Sequence, residues 1–321
     1  MKEFELIKHF FTEQIVKRKD VIKGIGDDCA IIDIPAQQNV VVTTDTLVSG
    51  VHFPHDTHPN AIGHKAIAVN LSDIAAMGAE PCWISIAITL PKVDKEWLQA
   101  FCDGVFELCE YYNVELIGGD TTQGPLSITV TAQGLIPEGK SLLRSGAQSG
   151  DWLYVTGEVG DAALALKHFH KQISLPLEYI KPLREKLDRP KARVLAGQAI
   201  REYASSAIDL SDGLVSDLNH ICQASDVGAN IVLDKLPLSQ MMLDSLPFEE
   251  AASLALVGGD DYEILFTVSE DNKVGMETAL ANTGTKITCI GQTNKSKVVS
   301  TTINNQVVPI QTTSFEHFTD K

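Results

Sequence analysis

Two domains of α/β (α+β) character are predicted, and three observations predict them. β-Branched apolar runs alternate with helical-period segments through both halves of the chain. At 321 residues the chain is long enough for two domains that each bury a core. From Pro137 to Gly150 runs a stretch with three glycines and little apolar content. These place an N-terminal domain over 1–137, a linker over 138–150 and a C-terminal domain over 151–321.

In chain order, the first element is an amphipathic helix with Phe4, Ile7, Phe10, Phe11 and Ile15 at helical spacing. Residues 40–44 (VVVTT) read as a strand, residues 60–79 as a helix rich in small residues, and residues 83–90 as a strand. Asp94 caps the next helix, which carries Trp97, Phe101, Val105 and Leu108. Strands at 114–117 and 126–134 close the first half. The second half opens with a strand at 152–156 and helices at 161–169 and 192–204. A strand at 207–210 then runs into the turn Ser211-Asp212-Gly213. Strands at 263–268 and 286–290 flank a helix at 270–281.

The 26 basic and 42 acidic side chains leave a formal charge of −16, which argues against nucleic acid and anionic membranes as partners. A phosphorylated substrate stays compatible, because bound divalent cations reverse the local sign of an acidic pocket. The charged N-terminal segment lacks a signal-peptide core, and no apolar run reaches a membrane span. Cys29, Cys82, Cys102, Cys109, Cys222 and Cys289 form no C-x-x-C pair, so reduced and mostly buried thiols are expected. The expected setting is cytoplasmic.

Gly134 to Ser141 (GLIPEGKS) satisfies the P-loop pattern, yet a working P-loop is not expected. Gly146 and Gly150 interrupt the segment where the phosphate-binding helix should begin, and Pro137 removes one backbone donor. The stronger signal is a set of carboxylates beside glycines or hydroxyls, at strand ends or on the small-residue helix. They are Gly26-Asp27-Asp28, Thr43-Thr44-Asp45-Thr46, Asn70-Leu71-Ser72-Asp73, Gly118-Gly119-Asp120-Thr121, Asp209-Leu210-Ser211-Asp212-Gly213 and Gly258-Gly259-Asp260-Asp261. Any one alone is ordinary turn chemistry. Six together suit Mg²⁺ and its bridging of carboxylates to phosphate oxygens. Asp73, set among apolar and small neighbours, would be costly there without a metal or a basic partner.

The motifs GIGDDCA, TTDTLVSGVHF, KAIAVNLSDIAAMGAEP, LIGGDTTQGP, LLRSGA with GDW, AIDLSDGL and GGDDYE together resemble the thiamine-monophosphate kinase family over essentially the whole chain. That family lies within the aminoimidazole-ribonucleotide-synthetase-like superfamily. The resemblance implies a homodimer whose N-terminal sheets pair into a barrel, with a C-terminal α/β domain beside each. It implies that Asp28, Thr43, Thr44, Asp45, Asp73, Asp120, Asp209 and Asp212 hold several Mg²⁺ ions. Gly119, Asp120, Arg144 and Ser211 would contact ATP, which makes Arg144 rather than Lys140 the nucleotide contact. His52, Asp260 and Phe315 would line the thiamine monophosphate site. Asp260 replaces a glutamate in the family pattern and is one methylene shorter.

The chemistry agrees with the residue types. A phosphate monoester with a second pKa of about 6 is largely dianionic near neutral pH, so no catalytic general base is required. The difficulty is bringing two polyanions into line, which metals and positioning overcome; direct in-line transfer is expected. His52, His55 and His58 fall three apart, but Pro54 and Pro59 disfavour a shared helical face, so zinc is not expected. Selenophosphate formation is disfavoured by the lack of a reactive Cys or Lys beside an N-terminal glycine-rich stretch. An acidic cation-binding protein without enzymatic activity would have no use for Arg144 or the DLSDG turn.

Overall fold

The computed structural model describes residues 3–12 and 14–309, which divide into two units. Of the described residues, those up to 74 and 79–139 form one unit, and 75–78 and 140–309 form the other.

The first unit runs α1 (Glu3–Phe10), β1 (Val21–Lys23), β2 (Ile31–Ile32), β3 (Gln38–Val48), α2 (Pro59–Ala76), β4 (Glu80–Leu90), α3 (Lys95–Tyr112), β5 (Glu115–Gln123) and β6 (Ser127–Pro137). Helix α1 ends before Ile15, which is 76% exposed instead of extending the apolar stripe. Asp94 caps α3 as expected, accepting from the amides of Glu96 and Trp97. Four strands pair in the order β3-β6-β4-β5, antiparallel except for the β4–β5 pair. Small residues in α2 and α3 serve close packing: a Cβ on Gly63 would lie 2.1 Å from the Phe101 carbonyl oxygen, and one on Gly104 1.9 Å from that of Asn60. The antiparallel β1–β2 ribbon brings Val21, Ala30 and Ile32 against Cys82, Trp83, Ile117 and Leu135.

The second unit runs β7 (Trp152–Thr156), α4 (Asp161–Phe169), α5 (Leu177–Asp188), α6 (Val194–Ile200), β8 (Ala204–Asp209), α7 (Leu214–Ser225), β9 (Gly228–Val232), α8 (Gln240–Ser245), α9 (Phe248–Val257), β10 (Ile264–Val268), α10 (Lys273–Ala281), β11 (Ile287–Asn294), β12 (Val299–Ile303) and β13 (Gln306–Val308). The strands order as β13-β12-β9-β11-β7-β10-β8, a mixed sheet in which only β9 and β12 pair in parallel. Leu153, Val155, Ile208 and Leu265 of the sheet form one core with Leu214, Leu218 and Ile221 of α7 and Ala252 and Ala255 of α9. Pro182 lies inside α5, which still forms because Leu183 and Leu187 are buried.

Residues 138–150 form no helix or strand, and their later part is tied to the second unit. The Leu142 amide donates to the Met77 carbonyl (3.1 Å) and the Gly150 amide to that of Thr293 (3.0 Å). Among the described residues, no helix is long and apolar enough to cross a membrane.

Candidate functional site

Strand β3 carries three predicted site residues in succession, and its pleat divides them. Thr43 Oγ1 donates to Asp73 Oδ2 of α2 (2.5 Å), and the Asp45 amide donates to Asn70 Oδ1 one turn earlier (3.2 Å). The Thr44 side chain is on the other face, its hydroxyl bonded to that of Thr131 (2.9 Å), and Thr46 repeats the pattern with Thr129 (2.9 Å). Asp45 and Asp73 are close enough to repel. Burial first, and then the Asp73 charge, push the Asp45 carboxyl up to about 6. Two carboxylates set against each other in a half-buried setting, with a threonine hydroxyl beside them, are a donor set that fits a hard divalent cation.

Asp28 is exposed on the loop between β1 and β2, and Gly119 and Asp120 are exposed on β5. The strand registers align Asp45, Val130, Ile86 and Gly119 in one row, and Thr46, Thr129, Ala87 and Asp120 in the next. Asp45 and Asp120 therefore stand on opposite edge strands, three strand spacings or about 14 Å apart. Among the described residues, no group of three or more His, Cys, Asp or Glu side chains is gathered closely enough to hold a metal ion.

The three loop histidines each have a local partner. His52 Nδ1 accepts from the Val48 amide (3.0 Å), His55 Nδ1 meets Ser49 Oγ (2.9 Å), and His58 Nδ1 accepts from the Asn60 amide (3.3 Å). Buried Lys65 donates from Nζ to the His52 carbonyl (3.2 Å), which pins this loop to α2. Lys140 pairs with Glu202 (2.5 Å) and no helix follows it, so the P-loop pattern is coincidental.

In the second unit, the DLSDG and GGDDYE segments interlock beyond the ends of β8 and β10. The Asp260 amide donates to the Ser211 carbonyl (3.0 Å), the Tyr262 amide to that of Leu210 (2.8 Å), and the Leu210 amide to that of Glu263 (2.8 Å). A side chain at Gly259 would place Cβ 2.3 Å from the Ser211 carbonyl oxygen, so this approach requires glycine. Asp260 and Tyr262 both adopt positive φ (68° and 51°), and the Tyr262 hydroxyl donates to Asp260 Oδ1 (3.0 Å). Asp261 points elsewhere, and both its oxygens accept from the Gly160 amide (2.9 Å each). Burial of that carboxyl pushes it well above the usual range, and nearby Glu263, Asp161 and Asp260 add to the shift.

Glu263 bonds Thr156 Oγ1 (2.6 Å) and Arg193 Nε (2.6 Å), which anchors the start of β10. Asp209 is buried at the end of β8, and Arg144 is exposed. Phe315 lies outside the described residues. An apolar cavity of about 830 Å³, lined in part by Leu233, Phe248, Leu254 and Val308, contains none of these residues.

Sequence reasoning passed over two residues on α7. Asp217 is buried, and its Oδ2 accepts from the amides of both Asp212 and Gly213 (3.2 Å each). Burial, and then the Asp212 charge, push its carboxyl up to about 7, while the two amides and Arg144 pull the other way. Ser225 Oγ donates to the Arg144 carbonyl (3.2 Å) and accepts from the amides of Gly146 and Ala147 (3.1 Å each). The spacing Gly213-x3-Asp217 at a helix start was the available signal.

Residues 26–136 match the N-terminal domain model of AIR synthase related proteins, and residues 148–304 match the C-terminal domain model. The thiamine-monophosphate kinase of Escherichia coli K12 is 49% identical over 294 residues, 90% of either chain. The chain belongs to the thiamine-monophosphate kinase family. A thiamine-monophosphate kinase crystal structure from Stenotrophomonas maltophilia K279a superimposes with a TM-score of 0.84 at 42% identity, covering 91% of this chain and 93% of the other. AaThiL complexed with AMPPCP and TMP superimposes with a TM-score of 0.77 at 32% identity, covering 92% of each chain. Identity at this level across both domains makes the whole chain, and not one half of it, thiamine-monophosphate kinase-like.

Proposed function

We propose that the protein transfers the γ-phosphoryl group of ATP to thiamine monophosphate, giving thiamine diphosphate and ADP in a magnesium-dependent reaction in the cytoplasm. The observation that carries this reading is the half-buried Asp45–Asp73 carboxylate pair, in a chain whose relatives at 49% identity are thiamine-monophosphate kinases. The solved relative complexed with AMPPCP and TMP supports an ATP-type donor and a phosphate-bearing acceptor.

Asp28, Thr43, Asp45, Asp73 and Asp120 in the N-terminal unit, and Asp209 and Asp212 in the C-terminal unit, would hold magnesium. Thr44 would contribute through its backbone, since its hydroxyl is committed to Thr131. When bound, the ions neutralise phosphate charge and hold donor and acceptor in line. Gly119, Asp120, Arg144 and Ser211 would bind ATP, with Arg144 offering a bidentate clamp on a phosphate. His52, Asp260 and Phe315 would bind thiamine monophosphate. His52 has its ring nitrogen oriented by the Val48 amide, and Asp260 is held by Tyr262. The acceptor oxygen is already anionic, so these residues bind and orient rather than remove a proton.

The reading also includes a homodimer. The four-stranded sheet leaves Val40, Val42, Thr44 and Thr46 exposed on one face, as a sheet covered by a second copy would. Closing two such sheets into a barrel, with β5 of one protomer beside β3 of its partner, would cover that face.

The test is ADP release from ATP and Mg²⁺ with and without thiamine monophosphate, following the diphosphate product. Stoichiometric ADP and thiamine diphosphate are expected. Nucleotide binding without acceptor-dependent turnover would reject the acceptor, and no nucleotide binding would reject the reading as a whole.

A further inference from the structure

We infer that Asp217 and Ser225, at opposite ends of helix α7, are positioning residues that hold the two nucleotide-contacting segments of the C-terminal unit in register. The inference rests on the proposed roles of Ser211, Asp212 and Arg144 and adds the device that fixes them.

Ser211 and Asp212 lie on a turn between a strand end and a helix start, where backbone amides lack partners within the helix. Gly213 caps α7 without a side chain to offer. Asp217 supplies the missing acceptor from inside the helix, one residue later than a capping box would, and takes the Asp212 and Gly213 amides on one oxygen. The turn is thereby fixed at its backbone, leaving the Asp212 carboxylate and the Ser211 hydroxyl for a ligand. At the other end, Ser225 Oγ binds the Arg144 carbonyl and the Gly146 and Ala147 amides. One hydroxyl thus fixes both sides of the bend that presents the Arg144 guanidinium. A helix is stiff over three turns, so α7 sets the spacing between the two contacts.

Both residues act through others, so the experiment must separate positioning from stability. Asp217→Ala, Asp217→Asn and Ser225→Ala would be compared with wild type in three measurements. These are the Kd for Mg²⁺–AMPPCP by calorimetry, kcat and KM for each substrate, and Tm. Asp217→Ala should weaken nucleotide binding about tenfold, about 1.4 kcal/mol, with KM for thiamine monophosphate within twofold. Asp217→Asn keeps an acceptor oxygen and should recover most of that loss. Ser225→Ala should weaken nucleotide binding about threefold, as expected for loss of one shared hydroxyl.

Nucleotide binding at wild-type strength in both truncated variants, with only Tm lowered, would overturn the inference. So would an Asp217→Asn variant as impaired as Asp217→Ala. If Asp217→Ala fails to fold, Ser225→Ala decides: weakened nucleotide binding supports positioning, and unchanged binding overturns it. Wild-type protein that binds nucleotide but ignores thiamine monophosphate would reject the acceptor and leave this comparison intact.

Discussion

In the N-terminal unit, Asp45 and Asp73 face each other across β3 and α2, and burial with mutual charge pushes Asp45 up to about 6. In the C-terminal unit, Asp217 and Asp261 are just as acidic by sequence, yet each accepts hydrogen bonds from backbone amides. The first pair meets as two carboxylates, with the Thr43 hydroxyl donating to Asp73. The second uses its carboxylates to hold turns, although burial pushes Asp217 up to about 7 and Asp261 well above the usual range. A carboxylate in this chain therefore meets either another carboxylate or backbone amides, and the partner facing it tells the two cases apart.

The sharpest way to break this comparison is to remove charge at the proposed metal ligands. Asp45→Asn and Asp120→Asn should each lower kcat by about three orders of magnitude, about 4 kcal/mol of barrier, without lowering Tm. Near-normal turnover in either would sink the metal assignment.

Next in size is the frame that presses Asp73 onto β3. Gly104→Ala drives a Cβ to within 1.9 Å of the Asn60 carbonyl oxygen and should cost about 3 kcal/mol in urea unfolding. An unchanged midpoint would show that α2 and α3 separate easily.

A further buried carboxylate, Asp161, gives a smaller, pH-dependent effect. Buried Asp161 accepts from Ser239 Oγ (2.5 Å) and lies 3.7 Å from Lys186 Nζ, and burial raises its pKa despite both. The folded chain then holds this proton more tightly than the unfolded chain. Stability contributed by the protonated form is present below the unfolded value of 3.8 and declines as pH rises through the higher folded value. Asp161→Asn removes that slope, so its Tm relative to wild type should climb with pH over this window. A constant difference from acid to neutral pH would refute the assignment.

The smallest effect is expected at Lys140, whose exposed pair with Glu202 contributes little. Lys140→Ala should stay within about twofold of wild-type turnover, and a collapse would revive the P-loop reading.

Much of the local structure was legible. The strand at Trp152–Thr156 and the helix at Asp161–Phe169 fall where periodicity puts them, and Asp94 caps α3. Helices α5, α7, α8 and α9 lie outside the expected elements, although Leu214, Leu218, Ile221 and Cys222 of α7 recur at helical spacing and are buried. The helix expected over 192–204 shrinks to Val194–Ile200, and the chain re-enters a strand at Ala204 under the pull of β10. In the sequence, the small residues of α2 surround Asp73. They also serve contact with α3, which a single sequence does not announce.

The sequence by itself determined the two-domain α/β order, the acidic turns and the likeness that identifies the family, because all of these are local patterns. Only the tertiary structure decided which carboxylates meet and which are answered by amides. It brought Asp73 onto Thr43, tied Asp217 to the Ser211 turn, and set Asp45 and Asp120 on opposite edges of one sheet. Strand order and helix contacts arise from pairings between residues far apart in the chain. Their selection rests on summed burial and hydrogen bonding, which no local motif records.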